Sequence, residues 1–302
     1  MTTTEQSKSV LLPTLKNKYS HPRDENILFD EPTHKYTILT DIESKYTSVT
    51  TWNHSHFPHF DADDIIAKMM KGKNWNPQNK YWGQTPEQIK DSWKKNAESV
   101  SGAGTDLHFD IECFMNYELP ASDQPITHQD LLDHYYEKYQ DIPPPNESEE
   151  WGFFLEFAKA FPDLKPYRTE WTVYNEDLKL SGSIDMVYQN PEDDTLSIYD
   201  WKRAKEIAKT NGFNKYAVTE CINHLPDTNF WHYSLQLNTY KAILEAKYGK
   251  KIRELYLVRL HPNNTKKTFD LIKCADLSEE IQDLFEYRKK QLQQLKEETK
   301  QN

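Results

Sequence analysis

Two short runs constrain this chain more than anything else in it. Ser183 to Tyr188 and Thr195 to Lys202 are rich in β-branched and aromatic residues, and Asn190-Pro191-Glu192-Asp193-Asp194 between them is a turn by composition. Read as strands, they pair as a hairpin. Side chains alternate across a strand with period two, so Asp200 and Lys202 share one face while Tyr199 and Trp201 take the other. Gly182-Ser183-Ile184-Asp185 on the first strand supplies a second carboxylate that the hairpin can bring beside the first.

An Asp-x-Lys tripeptide alone is an ordinary solvated ion pair at a strand edge. Its company sets this one apart. Arg168-Thr169-Glu170-Trp171-Thr172-Val173-Tyr174 is a third strand-like run, joined to the Asp185 strand through the polar turn Asn175-Glu176-Asp177, and Glu170 is one more inward carboxylate. Upstream, Gly104-Thr105-Asp106-Leu107-His108 leads into Ile111-Glu112-Cys113-Phe114, where His108 and Glu112 lie four apart on one helix face. Downstream, Gln236 and Tyr240 repeat that spacing on a long helix. Carboxylates and histidine bind divalent ions. Phosphodiester hydrolysis needs such an ion to polarise the phosphoryl oxygen and acidify a water, and a further group to steer that water in line. Two strand aspartates and a lysine supply those parts.

The order Gly-Thr-x-x-His on a helix, Glu on a strand, Gly-x-x-Asp on the next, Asp-x-Lys on the next, then Gln-x-x-x-Tyr on a helix resembles the RecB-type branch of the PD-(D/E)xK nuclease superfamily. The match runs from about residue 101 to 260. Asp200-Trp201-Lys202 and the Gly104 to His108 opening are similar to the mitochondrial genome maintenance exonuclease family, and the Leu225 to Asn238 run to related proteins of phages and large DNA viruses. The resemblance implies an α/β fold with a mixed sheet and a restriction-endonuclease-like core, ordered helix, three strands, helix, strand. It also implies that Asp185 and Asp200 bind Mg2+ or Mn2+ with the Trp201 carbonyl and His108, that Lys202 holds or helps deprotonate the attacking water, and that Glu170, Gln236 and Tyr240 belong to the site. Gln236 and Tyr240 would orient it and touch the scissile strand, with a packed helix aromatic as the alternative for Tyr240. Some relatives hold an iron–sulfur cluster through four cysteines; this chain has three, Cys113, Cys221 and Cys274, so no such cluster is expected.

The net charge of −11 looks wrong for a partner of phosphate backbones, but its distribution removes the objection. Between Asp106 and Asp163 stand fourteen acidic residues against Lys138 and Lys159, and the remainder of the chain is close to neutral. A basic run, Arg203, Lys205, Lys209 and Lys215, starts at Lys202, the lysine expected to be catalytic, and is the candidate phosphate-binding surface, although such runs are usually just solvated faces. No stretch approaches the roughly 18 apolar residues of a membrane span. Scattered cysteines and the lack of a clear targeting signal suggest a reducing intracellular compartment, cytoplasm or nucleus, with a viral setting open.

Along the chain, residues 1–26 read as a polar flexible leader and 27–100 as a strand and helix region covering the cleft. Its expected elements are strands at 27–29, 35–39 and 46–50 and a helix over 61–71. Thr85-Pro86-Glu87-Gln88 is a capping box that opens a helix to about Val100, and Ser101-Gly102-Ala103-Gly104 interrupts it before the His108 helix. Residues 101–276 form the nuclease core and 277–302 a C-terminal amphipathic helix. The Ile142 to Asn146 loop is expected on the surface, away from the basic side. Trp52, Phe57, Phe60, Trp75, Tyr81 and Trp82 are candidates for stacking on unpaired bases or for core packing. His54, His56 and His59 lack an acidic partner at ligand spacing and do not suggest a second metal site. The expected activity is a metal-dependent DNA exonuclease on single-stranded or frayed ends giving 5′-phosphate products, with a helicase or other recombination or replication protein as partner. A structure-selective endonuclease and a non-catalytic nucleic-acid-binding module are the alternatives.

Overall fold

The computed structural model describes residues 14–117, 125–212 and 214–301. The chain enters through a short helix, α1 (Thr14–Lys18), and a 3₁₀ turn over Pro22–Asn26, followed by the hairpin of β1 (Ile27–Asp30) and β2 (Lys35–Ile38). These residues are not a loose leader. Leu15 is buried, and Asp24 accepts a hydrogen bond from the Arg168 guanidinium at 2.7 Å and from Trp171 Nε1 at 2.9 Å. Burial pushes the Asp24 carboxyl up, but Arg168 outweighs it and holds the group below its ordinary value. A polar composition hid the reason for this segment to fold: the sheet buries an arginine, and the segment brings its counter-charge. Residues 1–13 lie outside the described part of the chain.

A two-residue strand, β3 (Thr47–Ser48), leads directly into α2 (Val49–His54), where a strand to Thr50 was expected. The β-branched run is overridden by its cap, since Ser48 Oγ accepts from Thr51 N and starts a helix whose Val49 and Trp52 are buried. Next come α3 (Ala62–Lys71) and α4 (Pro86–Met115). The Thr85 capping box forms as read, but α4 runs straight through residues 101–104. Two glycines cost such a helix about 1 kcal/mol each relative to alanine, and a Cβ at Gly102 or Gly104 would meet open space, so no close backbone approach explains them. The helix that begins beside α3 is therefore the one that carries His108.

After α5 (His128–Lys138) and α6 (Glu149–Ala160), β4 (Lys165–Asn175), β5 (Leu180–Gln189) and β6 (Leu196–Lys202) form an antiparallel meander, so the expected hairpin is present. Its turns are set locally. Asn175 Oδ1 accepts from Asp177 N and Leu178 N, while Asp193 Oδ1 accepts from Thr195 N. The long helix α7 (Asn229–Tyr248) then crosses over to β7 (Ile252–Arg259), which is parallel to β6, and β8 (Asp270–Lys273) closes that edge antiparallel. At the other end of β5, β3 pairs parallel with Leu180 and Ser181, where β6 no longer reaches. The result is a six-stranded mixed sheet in an α/β fold.

Alternation along the strands splits the core in two. Val187, Ile198 and Leu257 pack with α2, α7 and the C-terminal helix α8 (Ser278–Gln301), whereas Tyr188, Tyr199, Trp201 and Val258 pack with α4, α5 and α6. Cys113, Cys221 and Cys274 are free thiols. No helix among the described residues is long and apolar enough to cross a membrane.

Replacing one partner of a buried ion pair strands the other charge. Asp24→Ala is expected to lower stability by ~3–5 kcal/mol, read as a drop in denaturant midpoint with unchanged m-value. A shift below about 1 kcal/mol, the level of an exposed pair, would return the segment to the status of a leader.

Candidate metal centre

Glu170, Asp185 and Asp200 fall in one row across three adjacent strands. The β4–β5 register sets Thr169 opposite Met186 and Trp171 opposite Ile184, so Glu170 faces Asp185. The β5–β6 register ends at Met186 opposite Tyr199, and Asp185 and Asp200 are the next residues on the two strands. Mid-strand, Glu170 takes a left-handed backbone with φ 41°. That region is unfavourable for a residue with a side chain, and such outliers concentrate at functional sites, where surrounding structure holds them in place.

The side chains converge. His108 reaches over from α4, its Nε2 3.0 Å from the Trp201 carbonyl and its Nδ1 3.5 Å from Asp185 Oδ2. Asp185 Oδ2 also accepts from Trp201 N at 3.1 Å, and Ser183 Oγ donates to Glu170 Oε2 at 2.8 Å. One donor atom each from His108, Glu170 and Asp185 lies within 4.8 Å of the others, the spacing of a shared cation. Asp200 stands outside this trio. Its Oδ2 is 2.6 Å from Lys202 Nζ, although without the geometry of a hydrogen bond, and the ammonium also rests over the Tyr233 ring at 4.7 Å. Thus the sequence residues His108, Glu170, Asp185, Asp200, Trp201 and Lys202 are brought together, with Glu170 in the place expected of Asp200. Ser183 and Tyr233 are additions; only their positions, inside the glycine–aspartate run and in the first turns of α7, could have suggested them.

The electrostatics of this cluster are those of surplus negative charge. Burial, reinforced by Asp185, pushes Glu170 up to about 8, and Ser183 offsets only part of that rise. Burial likewise pushes Asp200 up to about 7, against the pull of Lys202. Burial alone would lower Lys202, but Asp200 and Asp185 outweigh it and hold the group firmly protonated. On α4, burial with Glu31 of the hairpin loop pushes Glu112 up to about 7. One imidazole, two or three carboxylates and a backbone carbonyl form a mostly oxygen donor set that suits Mg2+ or Mn2+, and the excess charge is of the sign such an ion would relieve.

Tyr240 and Gln236 meet each other on α7 beside the acidic row. Tyr240 is 3% exposed and packs against Gly182, where a Cβ would lie 2.5 Å from its hydroxyl; burial pushes the phenol well above its ordinary value, with Asp185 and Asp200 adding to the rise and a hydrogen bond with Gln236 opposing it. It stands on the α7 side of the sheet, the side of Asp200 and Lys202, and Gly182 is glycine because the ring lies there. Gln236 is half-buried and donates to Thr50 of α2 at 3.3 Å.

The basic surface is smaller than its sequence count. Arg203 is bound to Glu150 at 2.8 Å, Lys267 to Glu149 at 2.9 Å, and Arg259 and Lys266 both to Asp270. The acidic start of α6 therefore meets the basic residues, close after the Ile142 to Asn146 loop that was placed away from them. Lys205, Lys209 and Lys215 remain exposed. Of the aromatics, Trp52 and Phe57 are core, while Phe60 contacts Trp93, Trp75 contacts Trp82, and Tyr81 contacts Trp93 around α3 and the start of α4. A comparison with models of known protein families finds no match to this chain, and a comparison with curated proteins finds none.

Glu170 and Asp200 hold protons in the folded chain that the unfolded chain has already lost, so their contribution to stability is complete below about pH 4 and declines as pH rises through the folded values. Without metal, the melting temperature is expected to fall from about pH 5 to about pH 8 and to level off above that, and Glu170→Gln to flatten that slope. Mn2+ should raise the melting temperature more at the alkaline end, because its ligands must be deprotonated. A metal-free profile that is flat or rising over this range would contradict the charge assignment.

Proposed function

We propose that the chain is a divalent-metal-dependent deoxyribonuclease on a restriction-endonuclease-like core, acting from the free ends of single-stranded or frayed DNA. The observation that carries this reading is the row of Glu170, Asp185 and Asp200 across β4, β5 and β6, met by His108 on one side and Lys202 on the other. The order of these residues along the chain, similar to the RecB-type nucleases, supports the same conclusion.

His108, Glu170 and Asp185 would hold the ion, with the Trp201 carbonyl beside them and Asp200 within reach. When bound, a divalent ion polarises a phosphoryl oxygen and acidifies a water. The remaining work falls to the chain. Lys202, kept protonated by Asp200, is a hydrogen-bond donor that orients the attacking water and meets the negative charge growing on the phosphoryl oxygens. The Tyr233 ring beneath the ammonium limits its directions. Ser183 fixes the Glu170 carboxylate, and the Trp201 amide fixes Asp185, so both acids present a defined oxygen. Lys205, Lys209 and Lys215 offer exposed cations for the backbone of the strand.

The helical N-terminal region provides the cover that makes an end necessary. Along α4, Lys94 to Gly102 are all exposed, a solvated rod that leads from the aromatic contacts around Trp93 to His108. A cover that encloses one strand admits a terminus and rejects a closed circle.

With Mn2+ present, linear single-stranded DNA is expected to be degraded while a covalently closed single-stranded circle of the same sequence survives. Asp185→Asn should abolish degradation with the fold intact, and Lys202→Ala should reduce it by at least ~10²-fold, typical of a lost electrostatic or acid–base group, while keeping Mn2+ affinity. Equal cutting of circle and line would make the activity endonucleolytic. Full activity of Asp185→Asn would end the metal-centre reading.

A further inference from the structure

A cavity of 530 Å³ lies apart from the acidic row, lined among others by His54, Phe57, His59, Phe60, Lys215 and His232. Its volume falls within the ~300–1,000 Å³ of small-molecule sites. Its position follows from two helices. Thr50 of α2 meets Gln236 of α7, and one turn further along α2 the His54 ring lies 5.5 Å from that of His232, one turn back along α7. The two helices run antiparallel here, so the cavity begins about one turn, ~5.4 Å, from Gln236. His232 also precedes Tyr233, whose ring carries Lys202.

The charges in this cavity sort themselves. Three aspartates line it, and each has a hydrogen-bond or ion-pair partner, although only Asp64 faces a lysine. Asp227 Oδ1 is 2.9 Å from His232 Nε2, Asp64 is paired with Lys68 at 2.6 Å, and Asp61 caps α3 by accepting from Asp64 N. Among the described residues the Lys215 ammonium and the His54 and His59 imidazoles have no carboxylate partner. The uncommitted groups are therefore cationic or hydrogen-bond donating. The apolar wall is aromatic: Phe57 stacks on His232 with centroids 3.9 Å apart, and Phe60 presents a ring that is 64% exposed. A free cation beside an exposed aromatic face is the combination that binds a phosphate and a base together.

We propose that this cavity is a nucleotide subsite, in which Lys215 with His54 and His59 takes a phosphate of the substrate strand and Phe60 takes the attached base. The assignment to a strand rests on the nuclease reading; the affinity for a nucleotide does not. The subsite would hold the strand next to the metal centre and give the enzyme its grip on unpaired bases, since a base inside a duplex cannot reach Phe60.

The test uses the full chain carrying Asp185→Asn, without metal, titrated calorimetrically with thymidine 5′-monophosphate, inorganic phosphate and thymidine. The monophosphate is expected to bind at one site, at least tenfold more tightly than either fragment. Adding Lys215→Ala or Phe60→Ala should weaken it tenfold or more, and both side chains are exposed, so both variants should keep the parent melting temperature. Binding that ignores both replacements, or no binding, overturns the subsite and leaves the nuclease reading to the cleavage of linear DNA. Uptake of Zn2+ that is lost in His54→Ala, with no uptake of the monophosphate, overturns it in favour of a metal site. Nucleotide binding by a chain whose wild type cuts no DNA supports the subsite and removes the strand.

Discussion

The repulsion among three carboxylates on neighbouring strands is the interaction on which the rest of this structure depends. Glu170, Asp185 and Asp200 stand in one row, and among the described lysines and arginines only Lys202 is paired with one of them. In a metal-free chain burial, with that repulsion added to it, keeps Glu170 and Asp200 protonated well above their ordinary range. A fold does not retain such a row for stability, because replacing buried charge with apolar residues is often neutral or stabilising. A divalent ion held there would turn the same repulsion into binding energy.

Everything around the row holds it rigid. The face of β6 that carries Tyr199 and Trp201 is locked against Phe154 and Phe157 of α6, which fixes the Trp201 carbonyl and amide that His108 and Asp185 meet. On the opposite face Tyr240 fills the space above Gly182, and Gln236 ties α7 to α2. The left-handed backbone at Glu170 is strained by itself, and the ladder on both sides of it, from Thr169 to Trp171, keeps it there. At the start of β4, the Arg168 to Asp24 pair anchors the same strand from the N-terminal segment. Ligand geometry of this kind needs such over-determination, because a displaced carboxylate costs affinity and rate together.

How much of this was legible depends on how local the cause is. The β5–β6 hairpin, the faces of Asp200 and Trp201, α7, β7 and the His108 helix were readable, since period-two and period-3.6 patterns and turn residues act over a few positions. The continuity of α4 was misread because glycine is a breaker only by propensity, and about 1 kcal/mol per residue is readily overridden by a thirty-residue helix. The order of the N-terminal segment, the burial of Tyr240 and the pairing of Arg203 with Glu150 depend on partners far away in sequence, which no local pattern encodes. Glu170 was named as a site residue, but its left-handed backbone was invisible, as nothing in a β-branched run announces a strained position. The three histidines His54, His56 and His59 were set aside for want of an acidic partner; the structure buries His56 and sets His54 against His232, which holds Asp227.

The central claim is that His108, Glu170 and Asp185 hold one divalent ion between them. Pulsed electron paramagnetic resonance of the Mn2+-loaded chain measures this directly, because a bound imidazole nitrogen modulates the echo. The account predicts a nitrogen coupling that disappears in His108→Ala while Mn2+ remains bound more weakly, and loss of the bound ion in Asp185→Asn. A Mn2+ signal without nitrogen coupling in the wild-type chain, or a coupling that survives His108→Ala, would contradict it.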